Sequence, residues 1–137
     1  MIKIALDWLR HTRRKHLWTA TLAAGRRGED LAHRFLRREG LKIVARNYSL
    51  PSGDGEVDLI AWDADTLLFV EVKSRASGDY GPPERAIGSE KRRHIIRVAR
   101  EYTRKTDTPW ENVRFDTIAV VLSDPPAISH HKRSFTP

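Results

Sequence analysis

Apolar and polar positions along this chain follow two periods. Over residues 21–39, Leu31, Ala32, Phe35 and Leu36 recur at helical spacing, and Gly40 stands where a left-handed C-cap is wanted. A second helical pattern starts at Ser89, a candidate N-cap, and buries Ile95, Val98, Ala99 and Tyr102. Runs rich in β-branched and aromatic residues read as strands: 41–50 (LKIVARNYSL), 56–63 (EVDLIAWD), 66–74 (TLLFVEVKS) and 113–122 (VRFDTIAVVL). PSGDG at 51–55 is a turn. Residues 75–88 hold three glycines and two prolines, which makes them a long loop. At the N-terminus, Ile2, Ala5, Leu6 and Leu9 share one face of a short helix over 2–18, opposite Arg10, Arg13, Arg14 and Lys15. Such a helix either packs on the domain or frays, or touches anionic lipid or nucleic acid.

The resulting order is helix, three strands, helix, strand. A hairpin pair combined with a helical crossover implies an α/β fold with a mixed sheet flanked by helices. The length of 137 residues suits one core domain over 21–122. Residues 1–20 form a basic extension, and 123–137, polar and proline-containing, are expected to be a disordered tail.

Composition narrows the function classes. Lysine and arginine number 25 against 18 acids, a net charge of +7 that suits a polyanion, nucleic acid being the commonest. The chain has no cysteine, which excludes disulfides, thiolate zinc sites and cysteine nucleophiles. No apolar stretch is long enough to span a bilayer, and charges interrupt the N-terminal apolar residues where a signal peptide would be continuous. The expected location is the cytoplasm. There is no Walker loop and no dinucleotide fingerprint.

The central hairpin carries the candidate chemistry. If its turn closes with Asp63 opposite Thr66, Asp58 falls opposite Glu71 and Glu56 opposite Lys73. One face then carries Ile60, Trp62, Leu67 and Phe69, and the other Val57, Leu59, Leu68, Val70 and Val72. Both faces are apolar, so the strands are central and their charges need partners. Two opposed carboxylates repel unless a cation joins them. Lys73 supplies part of that charge, and a hard divalent ion would supply it better.

Other residues bear on the site less strongly. Glu29 lies beside the first helix's buried stripe, either reaching toward the hairpin or favoured there by the helix dipole. Glu56 either pairs with Lys73 or ends its strand in solvent. Lys91, Arg92, Arg93, Arg97, Arg100 and Arg104 line the exposed side of the second helix and, with Arg75 and Arg85 in the loop before it, form either a phosphate-binding rim or a solvated face. Asp116 reads as structural, and His130 and His131 as incidental. Asp54, Glu56 and Asp58 alternate like a calcium loop, but Leu59 stands where glycine is required.

The segments GRRGEDLAHRFLRREG, RNYSLPSGDGEVDLIAWD, LLFVEVKSR and VRFDTIAVV resemble the YraN-like family of small bacterial proteins across residues 22–122. That family is similar to the archaeal Holliday junction resolvases, within the restriction-endonuclease-like superfamily. The resemblance implies the pattern of an acid followed by Glu-x-Lys, here Asp58 and Glu71-Val72-Lys73, with a helix-borne acid at Glu29. It implies Mg²⁺ or Mn²⁺ held by Asp58, Glu71 and Glu29, the Val72 carbonyl as a further ligand, and Lys73 as a catalytic partner. Of the basic rim read from charge and spacing, Arg75, Lys91, Arg92, Arg93 and Arg97 are the expected nucleic-acid contacts. The implied activity is endonucleolytic phosphodiester hydrolysis on branched or repair intermediates, and a homodimer follows by analogy with resolvases, whose paired sites cut two strands. The competing expectations are a nucleic-acid-binding module that keeps the fold without the chemistry, and a scaffold that works through the N-terminal helix.

Overall fold

The computed structural model describes residues 22–53, 55–76 and 88–137. The helix expected over 2–18 and Arg85 lie outside them. Among the described residues, helix α1 (22–38) is followed by strands β1 (Lys42–Ser49), β2 (Glu56–Asp63) and β3 (Thr66–Ala76). Helix α2 (Ser89–Thr106) then leads through a 3₁₀ turn (Trp110–Asn112) to β4 (Val113–Leu122) and β5 (Ala127–Phe135). The strands form one sheet in chain order, β1-β2-β3-β4-β5. Only β3 and β4 run parallel, with α2 as their crossover; the other neighbours are antiparallel. The expected mixed sheet and its element order are therefore present, with one strand added.

Two apolar layers cover the sheet. Ala32 and Leu36 of α1 pack with Leu59, Leu68, Val70, Ile118 and Val120. Ile95, Val98 and Ala99 of α2 pack with Ile60, Leu67, Phe69 and Phe115. Adjacent strand residues such as Leu68 and Phe69 fall in different layers, as the two-residue period of a strand requires, so the helices cover opposite faces. Val57 departs from the expected faces. It joins Ile60 beneath α2 rather than Leu59 beneath α1, so simple alternation fails around Asp58.

The ends of α1 and α2 are set locally. Gly40 has φ +88°, and it donates to Arg37 O while Leu41 N–H donates to Leu36 O at 3.0 Å. These paired bonds make a Schellman cap, with the Leu36–Leu41 apolar pair that accompanies it. Ser89 is not the cap of α2: it is the first helical residue, and Gly88 precedes it without a side-chain hydrogen bond. Among the described residues, no helix is long and apolar enough to cross a membrane.

Residues 123–137 correct the expectation of a disordered tail, because β5 pairs with β4. Its anchors are specific rather than periodic. Phe135 stacks on Phe115 with ring centroids 4.9 Å apart. His130 donates from Nε2 to Asp116 Oδ2 at 2.8 Å, so it is not incidental. Asp116 is fully buried and also accepts two bonds of 2.9 Å from Arg114 and one of 3.1 Å from the Arg133 N–H. Burial pushes its pKa up, but these donors outweigh burial and hold it below the ordinary aspartate value. Removing the carboxylate would leave the half-buried Arg114 guanidinium with Asp63, 3.5 Å away, as its charge partner, and would strip His130 and the Arg133 N–H of this acceptor. Asp116→Ala is expected to cost about 3–5 kcal/mol, read as a shift of the urea midpoint at unchanged slope. A loss below about 1 kcal/mol would show that the cluster does not hold β5.

Candidate active site

The hairpin register is the expected one. Asp63 faces Thr66, and pairing continues through Leu59 and Val70. There the β2–β3 ladder stops, while β3 stays paired with β4 as far as Ala76 and Leu122. Beyond that point the Val72 N–H donates to Asp58 Oδ2 at 2.8 Å, so a side chain takes the place of a strand neighbour. This bond holds the Asp58 carboxylate in the fork between the strands, against Glu71.

Glu71 is 2% exposed. Its Oε1 is in contact with the Lys91 ammonium, carried on the first turn of α2. Its Oε2 is buried and accepts no donor among the described residues. Two carboxylates can bond to each other only through a shared proton, and the energetics agree. Burial, and then the Glu71 charge, push the Asp58 pKa up to about 7. Burial also raises Glu71, even though the Lys91 hydrogen bond and charge pull the other way. Lys73 lies on the Glu71 side of β3 and is half-buried. Burial, then repulsion from Lys91, lowers its pKa, with Glu71 opposing. For Lys91 burial acts downward, but Glu71, Asp58 and Glu56 together hold it above the ordinary lysine value.

Close packing of α1 brings Glu29 near this group. A Cβ on Gly28 would meet Ser74 Cβ at 2.4 Å, so only glycine permits this approach of helix to strand. Ser74 Oγ donates to Ala24 O at 3.3 Å across the same seam. The Glu29 carboxylate feels the Asp58 charge and, with burial as the larger cause, its pKa is raised. Its contacts, however, are Arg46 at 3.9 Å and a hydrogen bond from Asn47. Asn47 adopts φ 49°, a left-handed turn within β1 between the Arg46–Leu59 and Tyr48–Val57 pairs. Asparagine tolerates that conformation better than most residues.

Asp58, Glu71, Lys73 and Lys91 are thus one electrostatic unit with Glu29 at its margin. Among the described residues, no three histidine or acidic side chains converge into a metal cage. The donor set is two carboxylates, one with a buried oxygen that no N–H fills. That suits an ion such as Mg²⁺, which takes one or two carboxylates and keeps several waters. Glu56 is exposed, and the ladder ends before it would face Lys73.

The basic rim is partly rearranged. Lys91, Arg93, Arg97, Arg100 and Arg104 are exposed along α2. Arg92 is not on that face: it is half-buried, with its guanidinium 5.6 Å from the Phe135 ring. Arg75 belongs to β3 opposite Val121, not to the following loop. Asn47 and the Gly28–Ser74 seam do not show in the residue pattern, and neither does the Lys91–Glu71 contact. The only signals were a glycine inside a helical pattern and an asparagine inside a strand pattern, which are weak individually.

The fold and these groups define an α/β protein with an acidic pair, Glu71 buried and Asp58 partly buried, beside two lysines where the β2–β3 ladder ends. The chain belongs to the uncharacterised protein family UPF0102, whose model matches residues 28–120. It is 50% identical over 111 residues to a UPF0102 protein of Solibacter usitatus (strain Ellin6076), covering 81% of this chain and 84% of that relative. Relatives from Nocardia farcinica (strain IFM 10152), 44% identical over 82% of this chain and 89% of theirs, and Rhodococcus opacus (strain B4), 43% identical over 83% and 97%, bear the same description.

A raised Asp58 pKa has a definite sign for stability. The folded value of about 7 exceeds the ordinary 3.8, so the associated stability is complete below about pH 4 and lost as pH rises through 7. In chelator, Asp58→Asn stays neutral and can still accept the Val72 N–H. It is expected to exceed the parent in stability by about 1–3 kcal/mol at pH 8, with the gap closing near pH 4. Thermal melts across that range check it; equal pH profiles for the two proteins would contradict the shared-proton reading.

Proposed function

We propose that this protein is a metal-dependent endonuclease that hydrolyses phosphodiester bonds in DNA, with branched or repair-intermediate structures as its substrates. The observation that carries the proposal is the Asp58–Glu71 pair at a strand fork, with Glu71 buried, Asp58 partly buried and Lys73 on the same strand as Glu71. An acidic pair of this kind is costly in a metal-free fold, and strong carboxylate perturbation beside a specific partner is a mark of functional sites. The resemblance to the restriction-endonuclease-like superfamily falls on the same residues.

In this reading Asp58 and Glu71 hold Mg²⁺ or Mn²⁺, with the Val72 carbonyl as a further donor. The bound ion would polarise the phosphoryl group and acidify a water. The chain's own residues do the remaining work. The Val72 N–H fixes the Asp58 carboxylate in place before the site fills. Lys73 places a positive charge beside Glu71, where it stabilises charge developing on the phosphate. Glu29, held by Arg46 and Asn47, contributes through the field it shares with Asp58. Arg93, Arg97 and Arg104 supply exposed charge for the phosphate backbone, together with the net charge of +7.

A second reading, a nucleic-acid-binding module without turnover, is favoured by the Lys91 contact, which already neutralises Glu71. One experiment separates the two. Branched, flapped, nicked and single-stranded DNA are incubated with Mg²⁺ or Mn²⁺ and wild type, Glu71→Ala or Lys73→Met. Cleavage by the wild type is expected to fall about 10²–10³-fold or more in each variant, the size of effect typical of losing one group that stabilises transition-state charge. Binding measured by anisotropy should survive. Salt-sensitive binding with no cleavage of any substrate would favour the module. Arg97→Ala should lower the salt slope of binding by about one.

A further inference from the structure

We infer that Lys91 is an exchangeable counter-ion for the acidic pair: it leaves Glu71 for a phosphodiester when the site takes up a divalent metal, so that metal entry and nucleic-acid binding depend on one another. This deepens the proposed function and rests on its metal site.

The two partners of the ion pair differ in freedom. The Glu71 side chain is 3% exposed and fixed on a central strand, whereas the Lys91 side chain is 55% exposed on the first turn of a surface helix. The ammonium contacts Oε1, one of the two oxygens Glu71 can offer a cation, while Oε2 is buried without a donor among the described residues. A divalent ion shared by Asp58 and Glu71 would compete with Lys91 for this carboxylate and repel its charge. Lysine carries a compact charge on a flexible stem, so release needs only rotations of that stem. The freed ammonium stays at the site's mouth, on the same helix as the exposed Arg93 and Arg97, where a phosphate would compensate it. Lys73 is the less suitable group to move. It is half-buried on β3, beside Glu71 rather than on the surface.

The metal-free protein would then hold its carboxylates closed by an internal cation, and a phosphodiester drawing Lys91 away would open them. Linkage makes the effect reciprocal: whatever factor DNA adds to metal affinity, metal adds to DNA affinity.

The test titrates the full-length protein with Mn²⁺ at pH 8 and follows free Mn²⁺ by its electron paramagnetic resonance signal. Wild type, Lys91→Met and Lys91→Arg are compared alone and with a short DNA duplex, with binding to DNA alone subtracted. Without DNA, Lys91→Met is expected to bind Mn²⁺ at least about tenfold tighter than wild type, and Lys91→Arg within about threefold of it. DNA should tighten Mn²⁺ binding about tenfold in wild type and leave Lys91→Met unchanged. A variant that binds no tighter than a wild type that does bind Mn²⁺ overturns the inference and leaves the metal site standing. Tighter binding by Lys91→Met with no effect of DNA on the wild type also overturns it, since coupling is the claim. Absence of Mn²⁺ binding in all three proteins removes the metal site and the inference together.

Discussion

Val72 needs an acceptor for its N–H at the point where β2 and β3 part, and Asp58 supplies it. Much of the site follows from that bond. A strand that stayed paired would have satisfied Val72 with a backbone carbonyl and left the side chain at position 58 to the core. The fork instead draws a carboxylate into a place where Glu71 is already buried. Two acids so placed require a proton or a cation, and every nearby element contributes to meeting that demand. The first turn of α2 brings Lys91, β3 brings Lys73, and the Gly28–Ser74 seam lets α1 approach closely enough for Glu29 to share the field.

Asp116 shows what a settled buried acid looks like in the same fold. It is as deeply buried as Glu71, yet it has Arg114, His130 and the Arg133 N–H as donors, and its pKa is lowered. Among the described residues Glu71 has a surface lysine on one oxygen and no donor on the other, and its pKa is raised. Burial pushes both groups the same way, so the difference lies in the number of donors. The Asp116 cluster is complete and holds an edge strand in place. The Asp58–Glu71 pair is incomplete, as a group would be that has something still to bind.

Much of the fold was legible because it rests on periodic patterns. The hairpin register, the two apolar faces, the stripe of α1 and its Gly40 cap are consequences of spacing, and spacing is visible in a sequence. β5 was hidden because its anchors, His130 to Asp116 and Phe135 on Phe115, are particular long-range pairs in an otherwise polar stretch. Arg92 was misplaced for a related reason: an arginine is read as exposed, but its guanidinium covers Phe135, an aromatic ring on the strand that spacing did not reveal. At the site, the Asp58–Glu71 encounter could be argued from index pairing. The break in alternation at Val57 could not, since it arises from the fork itself. Nor could the Lys91–Glu71 contact, which depends on where the crossover helix begins relative to the sheet.

Glu29 completes the picture of a site poised between states. Its helix carries it toward Asp58, but Arg46 and Asn47 hold its carboxylate at the margin. A third acid brought fully into the fork would add charge that neither a single shared proton nor Lys91 could balance. Keeping Glu29 back limits the metal-free fold to two mutually dependent carboxylates, of which Asp58 has its pKa raised to about 7. In the proposed function a divalent ion joins the proton and the Lys91 ammonium as a competitor for the same oxygens, and a modest change in outside charge can decide among them. In the proposed function a polyanion lying along the exposed basic side of α2 would be such a change, since it would attract Lys91, whose side chain is 55% exposed.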